Sequence, residues 1–131
     1  MIKRKHIDKD SRDTFVVTSV HSSNVADRVI GVIPVRSRLV SVREAHSTAA
    51  STTSVLTIER LQGTEASGSG DAVVAGTIDL EGTANTVQSG TIVTASDIDI
   101  FAAGDRVGVD VGTTTALVNM VVSCHFRPID S

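Results

Sequence analysis

The alternation of apolar and polar residues between positions 102 and 127 constrains the fold of this chain most strongly. Residues 107–111 read VGVDV, and the even positions of residues 116–126 are apolar while the odd positions are mostly polar. Successive side chains of a β-strand point to opposite faces, so a period of two indicates strands with one buried face. The Gly/Thr stretch at 112–115 lies between the two runs, and we therefore predict an antiparallel hairpin.

Short alternating runs separated by turn signals recur along the whole chain. We count eight or nine runs at a spacing of roughly 8–12 residues, which is typical of β-sandwiches and barrels. Valine and threonine are abundant, and no run keeps a helical period for more than two turns. The sequence therefore predicts an all-β fold, an antiparallel β-sandwich of jelly-roll-like type. Before the hairpin, the runs are residues 14–20, 28–35, 38–44, 54–61, 72–80, 91–94 and 97–101. Within the third run, unbroken alternation places Leu39 on the face opposite Val40 and Val42.

The chain of 131 residues is predicted to form one sandwich domain, residues 14–131, preceded by a polar arm, residues 1–13. The arm has five basic and three acidic residues, a net charge of +2, so the remainder carries −5 within an overall charge of −3. An acidic domain argues against nucleic-acid binding. We interpret the arm either as a solvated terminus or as an extension that orders on a neighbouring subunit or partner. In the second interpretation the candidate partner-binding residues are Lys3, Arg4, Lys5, Lys9 and Arg12.

The sequence contains no motif that predicts catalysis. It lacks the nucleophile motif G-x-S-x-G, a phosphate-binding P-loop and the dinucleotide-binding glycine pattern. Its four histidines lack metal-ligand spacing, and its single cysteine excludes an intrachain disulfide and a thiolate zinc site. We therefore expect no enzymatic activity, no cofactor and no metal. Cys124 lies on the apolar face of its run, which predicts a buried and unreactive thiol.

The sequence also predicts no membrane contact. No stretch approaches the roughly 18 consecutive apolar residues of a membrane-spanning helix. The basic residues at the start of the chain are not followed by the apolar core of a secretory signal.

Two pairs of acidic residues are the remaining candidates for chemistry. Asp97 and Asp99 are expected on one face of a short strand, and so are Asp79 and Glu81. Carboxylates about 7 Å apart on one strand face can act in acid–base catalysis or help to bind Ca²⁺. No calcium-binding loop surrounds either pair, so we favour a solvated polar face opposite buried isoleucine and leucine.

Five motifs between residues 32 and 126 carry a resemblance to a known family. They are IP at 33–34, RLVSVR at 38–43, LTIERLQGT at 56–64, IDLEGTANTV at 78–87 and AGDRV at 103–107. Together with the Gly/Ser-rich loop that ends at Gly70 and the closing hydrophobic strand, they resemble small virion proteins of tailed bacteriophages. This family includes capsid decoration (cement) proteins and related head or fibre components. The resemblance covers about three-quarters of the chain, excludes the arm and marks no active site.

The resemblance implies a β-sandwich that assembles as a homotrimer, binds the major capsid protein and lies on the capsid surface after synthesis in the host cytoplasm. The expected function is that of a structural virion protein which decorates and stabilises the capsid. Two alternatives stay open: a carbohydrate-binding receptor module of a phage fibre, and a small hydrolase or isomerase built on a jelly roll. With three Phe and no Trp or Tyr, the chain offers few surfaces on which a sugar can stack. An enzyme would need a convergent histidine and carboxylate site.

Overall fold

The computed structural model of the protein describes residues 14–21, 27–51, 54–76, 78–111 and 119–129. Within these ranges the chain forms twelve strands and one short 3₁₀ helix, Ala95–Asp97. The strands are β1 (Phe15–His21), β2 (Arg28–Val32), β3 (Ser37–Ala45), β4 (Val55–Leu61), β5 (Asp71–Ala72), β6 (Val74–Ala75), β7 (Ile78–Asp79), β8 (Gln88–Ser89), β9 (Thr91–Ile92), β10 (Ile100–Phe101), β11 (Arg106–Val111) and β12 (Met120–Pro128).

These strands build two five-stranded sheets, and all of their pairs are antiparallel. Sheet A has the order β1-β12-β3-β10, with β8 also paired to β3. Sheet B has the order β2-β11-β4-β5, with β7 also paired to β4, and β6 and β9 form a small separate sheet. The apolar faces of sheets A and B contribute to one core, which confirms the predicted all-β sandwich.

The connectivity is that of a long hairpin rolled over itself. The first strand pairs with the last, β1 with β12, and β2 pairs with β11. Further inward, β3 pairs with β10 and β4 with β5. Strands that follow each other from β1 to β4 therefore alternate between the two sheets.

The predicted hairpin between the last two strands is wrong. β11 pairs with β2 and β4 in sheet B, whereas β12 pairs with β1 and β3 in sheet A. Both strands have the predicted buried faces, because Val107, Val109 and Val111 are buried and so are the even positions of β12 from Met120 to Phe126. Alternation identifies the buried face of a strand but does not identify the strand beside it.

A β-bulge in β3 corrects a second prediction. Leu39 and Val42 are both buried, although unbroken alternation would place them on opposite faces, and Val40 is 40% exposed. The register between β12 and β3 shifts between His125 and Phe126, so that Val40 is the extra residue. A bulge adds one residue to a strand and so reverses the alternation beyond it.

The run at 72–80 is also less regular than predicted. It contains parts of three two-residue strands instead of one long strand. Gly76 adopts a φ of +69° between β6 and β7, a backbone conformation that favours glycine and interrupts an extended strand.

The core between the sheets has one aromatic cluster. The fully buried ring of Phe126 stacks on that of Phe15 at a centroid distance of 5.3 Å and meets that of Phe101 edge-on at 5.0 Å. Cys124 is fully buried on the same face of β12, as predicted, and burial raises the pKa of its thiol to about 12. A thiol that stays protonated at neutral pH is a poor nucleophile, so the structure supports a packing role for it.

Candidate functional site

The basic residues predicted to bind a partner lie outside the described residues. Lys3, Arg4, Lys5, Lys9 and Arg12 all belong to residues 1–13. Their role therefore stays a prediction.

Asp97 and Asp99 do not share a strand face, so that prediction is wrong. Asp97 ends the 3₁₀ helix with a φ of +56°, and Asp99 precedes β10 in a turn. Asp99 is 1% exposed, and its Oδ2 accepts a hydrogen bond from Nη1 of Arg38 at 2.9 Å. The buried carboxylate thus forms an ion pair that joins this turn to β3.

Asp79 and Glu81 are exposed, and their contact is local. The backbone N–H of Glu81 donates to Oδ1 of Asp79 at 2.8 Å, which closes the turn after β7. Across the described ranges, no group of three or more His, Cys, Asp or Glu side chains is placed to hold a metal ion. In the same ranges, no helix is long and apolar enough to span a membrane.

The outward side chains of β1, β12 and β3 form a continuous surface, which we call the A face. The strand register aligns them in three rows across the sheet. The first row is apolar, the second has hydroxyl groups and an arginine, and the third is mixed. The rows are Val20–Val121–Ala45, Thr18–Ser123–Arg43 and Val16–His125–Ser41.

The loop between β7 and β8 adds Val87 to the apolar end of the A face. Val20 and Val87 are 67% and 63% exposed, so much of the apolar surface at this end lies in water. A cavity of about 260 Å³ lies between this loop and the sheet. It is lined by Arg43, Glu44, Ala45, Val87, Val121, Ser123 and His125. Aliphatic groups and hydrogen-bond donors therefore share one concave surface.

The A face is basic, although the domain as a whole is acidic. The outward positions of β1, β12 and β3 hold no Asp or Glu. Their basic side chains are Arg38, Arg43, His125 and Arg127, of which Arg38 is paired with the buried Asp99. A surface of this kind favours a negatively charged or hydrogen-bond-accepting partner.

A buried network fixes the loop that bears Val87. The side chains of Glu44 and His46 are fully buried, and Nδ1 of His46 lies 2.7 Å from Oε2 of Glu44. Nε2 of His46 lies 2.9 Å from the carbonyl oxygen of Gly82. Nε2 of Gln88 donates to Oε1 of Glu44 at 2.9 Å and to the carbonyl oxygen of Asp79 at 2.7 Å. These bonds join the end of β3 to both ends of the loop.

The geometry favours a charged imidazolium at His46. Both ring nitrogens face oxygen acceptors, so both act as donors. Burial by itself lowers the pKa of His46, but the hydrogen bonds to Glu44 and Gly82 and the charges of Glu44 and Asp79 outweigh it and raise the pKa above its usual value. Glu44 and His46 are therefore best described as a buried ion pair.

Three carboxylates meet on the outward side of sheet B, where the loop after β4 folds back. Glu59 is 4% exposed and accepts the backbone N–H of Gly68 at 2.8 Å. Oδ2 of Asp27 also lies beside Gly68, only 2.8 Å from the place that a Cβ would occupy there. The hydrogen bond to Asp27, partial burial, and the charges of Asp27 and Glu59 together raise the pKa of Asp110 to about 6.

The raised pKa of Asp110 predicts a pH-dependent stability. The proton on Asp110 stabilises the native state fully below the ordinary pKa of 3.8, and this contribution is lost as the pH rises through about 6. We expect Asp110→Asn to reduce this decline, because the amide carries no charge at any of these pH values. Chemical denaturation of both proteins between about pH 4 and 6 measures how far the stability of each one declines. An equally steep decline in the variant would contradict this role of Asp110.

Glu44 and His46 were not predicted, although the sequence contains a signal for them. Both continue the parity of the buried Val42, so that two titratable residues extend an apolar strand face. Charged residues at such positions are almost never buried unless they are paired. The rows of the A face could not be predicted from local sequence patterns, because they depend on the register between β1, β12 and β3.

Comparison with known proteins identifies the fold. No protein-family model and no curated protein matches the chain. Among solved structures, a chain in the capsid of Ralstonia phage GP4 is similar with a TM-score of 0.62 and 15% identity, over 92% of this chain and 87% of that chain. A chain in the capsid asymmetric unit of cyanophage Pam1 is similar with a TM-score of 0.53 and 11% identity, over 89% and 86%. The whole sandwich therefore has a fold that also occurs in phage capsids.

Proposed function

We propose that this chain is a structural virion protein of a tailed phage, which decorates the outside of the capsid as a homotrimer and stabilises the shell. The observation that carries the proposal is the match over most of the chain to chains in the capsids of Ralstonia phage GP4 and cyanophage Pam1. The motifs that resemble tailed-phage virion proteins support the finer assignment to a decoration role. The proposed partner is the major capsid protein, met on the capsid surface after synthesis in the host cytoplasm.

The buried polar side chains support a structural role over the hydrolase or isomerase alternative. Glu44 and His46 are fully enclosed and bonded to each other, with Gln88 and Gly82 completing the network. The buried Asp99 is bonded to Arg38. A histidine and carboxylate pair must reach a substrate to act as a catalyst, and Glu44 and His46 instead join strand to loop.

A trimer is supported by the composition of the core. Three Phe are the only aromatic residues, so each buried side chain removes little area from water. Burying further surface between subunits would add stability. We expect light scattering to give about three times the chain mass of 13.7 kDa. A monomer at micromolar concentration would contradict the trimer.

Decoration stabilises a capsid by mass action, because the ligand binds the assembled shell and not its separated subunits. Three identical contacts on one trimer would also act together and raise the avidity. The basic residues of the arm are proposed to strengthen this attachment through acidic patches on the shell or on a neighbouring subunit.

Co-sedimentation with capsids that lack this protein tests the proposal and the role of the arm. The intact chain should bind, and binding should weaken with salt, because exposed charges are screened within about 10 Å at 0.1 M. Deletion of residues 1–13 should leave the sandwich folded, since β1 begins at Phe15, but should weaken binding. If the shortened chain binds capsids as fully as the intact one, the arm is a solvated terminus. Glycan binding by the isolated protein would instead support the fibre alternative.

A further inference from the structure

We propose that the apolar end of the A face is the surface by which this protein attaches to the shell, and that it takes a segment of the shell protein that presents carboxylates beside aliphatic side chains. The inference rests on the proposed function and adds the site of contact. The A-face patch, as we call this site, consists of Val20, Arg43, Val87, Val121, Ser123 and His125.

The shape of the A-face patch suits an inserted side chain. Its cavity of about 260 Å³ is bounded on one side by Val87 and on the other by the sheet. Val20 and Val87 are more than half exposed, and together with Val121 they offer aliphatic contacts at the rim. Contiguous exposed apolar surface next to polar groups is typical of sites where proteins meet.

The charges of the A-face patch specify an acidic partner. None of the ion pairs formed among the described residues involves Arg43. Ser123 and His125 lie on the neighbouring strand and line the same cavity. The outward positions of the three strands hold no carboxylate, and the carboxylate of Glu44, which also lines the cavity, is already bonded to His46 and Gln88. An arginine guanidinium matches a carboxylate in geometry as well as charge.

The patch is also held in shape by the buried network beneath it. Gln88 follows Val87 directly, and its side chain is fixed by Glu44 and by the carbonyl oxygen of Asp79. His46 fixes Gly82 at the other end of the loop. Burying an ion pair is costly, but these hydrogen bonds hold the loop that carries the exposed Val87 at two points. A rigid site loses less conformational entropy on binding than a mobile one.

A second copy of this chain fits the patch less well than a different protein does. A two-fold contact between two A faces would bring the arginines of one face towards those of the other, and like charges repel. The acidic cluster of Asp27, Glu59 and Asp110 lies on the outward side of sheet B, on the opposite face of the sandwich. A contact that joins opposite faces of successive copies builds an open filament and not a closed ring.

Capsid co-sedimentation with matched variants tests this inference. Val87→Asp and Arg43→Glu should each weaken binding to capsids that lack the protein by about ten-fold or more, whereas Arg43→Lys, which keeps the charge but not the fork of donors, should weaken it less. Val32→Asp is the control, because Val32 is 62% exposed, as Val87 is at 63%, but lies at the edge of sheet B. Thermal denaturation verifies that every variant is folded.

The outcomes separate this inference from the proposed function. If the intact chain binds capsids and Val87→Asp and Arg43→Glu bind equally well, the attachment surface is elsewhere and only the inference is overturned. If the intact chain does not bind, both are overturned. If Val87→Asp converts an oligomer to monomers, the patch is a contact between copies and its assignment to the shell protein is wrong.

Discussion

Phe126→Ala is expected to lower the free energy of unfolding by about 3–5 kcal/mol, the largest loss for any single truncation in the core. Phe126 is fully buried, and its ring contacts both other aromatic rings, those of Phe15 and Phe101. In a core built mostly from valine, leucine and isoleucine, the neighbouring side chains are too short to fill the space left by a phenyl ring. Part of the loss is therefore the cost of a cavity.

Chemical denaturation of the purified protein measures this loss. Val40→Ala is the matched control, because Val40 is the bulged residue on the neighbouring strand and its side chain is 40% exposed. The control should stay within about 0.5 kcal/mol of the unchanged protein. A loss below about 1 kcal/mol for Phe126→Ala would contradict its position at the centre of the core.

Glu44→Ala is expected to cost about 3–5 kcal/mol, because it leaves His46 buried without its anionic partner. It also removes the acceptor of Gln88, which helps to hold the loop between β7 and β8. Arg43→Ala is the control, since Arg43 precedes Glu44 but points outward and is exposed. The control should change the stability by less than about 0.5 kcal/mol, and an equal loss in both variants would contradict a special role for the buried pair.

The buried pair also predicts how stability changes with pH. The pKa of His46 is raised by folding, so its contribution is fully present below the ordinary value of 6.5 and is lost as the pH rises through the higher value of the folded state. This window lies above that of Asp110, whose contribution is lost by about pH 6. In Glu44→Ala the decline in stability above pH 6.5 should disappear, because the carboxylate that favours the protonated form of His46 has been removed.

The regular strands were predictable because their burial follows a simple rule. In β12 every second residue from Met120 to Phe126 is buried, and the apolar residues of the sequence stand at those positions. The pairing of strands was not predictable in this way. β1 and β12 are neighbours although they lie at opposite ends of the chain, and nothing local to either strand specifies that contact.

Local irregularities account for the other differences. The bulge at Val40 leaves no mark on the composition of β3, because valine is a common residue of β-strands. Asp99 was expected to be solvated, but Arg38 is brought beside it by the pairing of β3 with β10. The A face was missed for the same reason, since its rows exist only once three distant strands are in register.

Imaging of virions tests the central claim most directly. Particles that contain this protein would be compared by cryo-electron microscopy with particles from which it has been removed. We predict difference density on the outer surface of the capsid, three-lobed and large enough for three sandwiches at each position. Equal capsid surfaces in the two samples, or difference density at a fibre instead of the shell, would contradict the proposed decoration role.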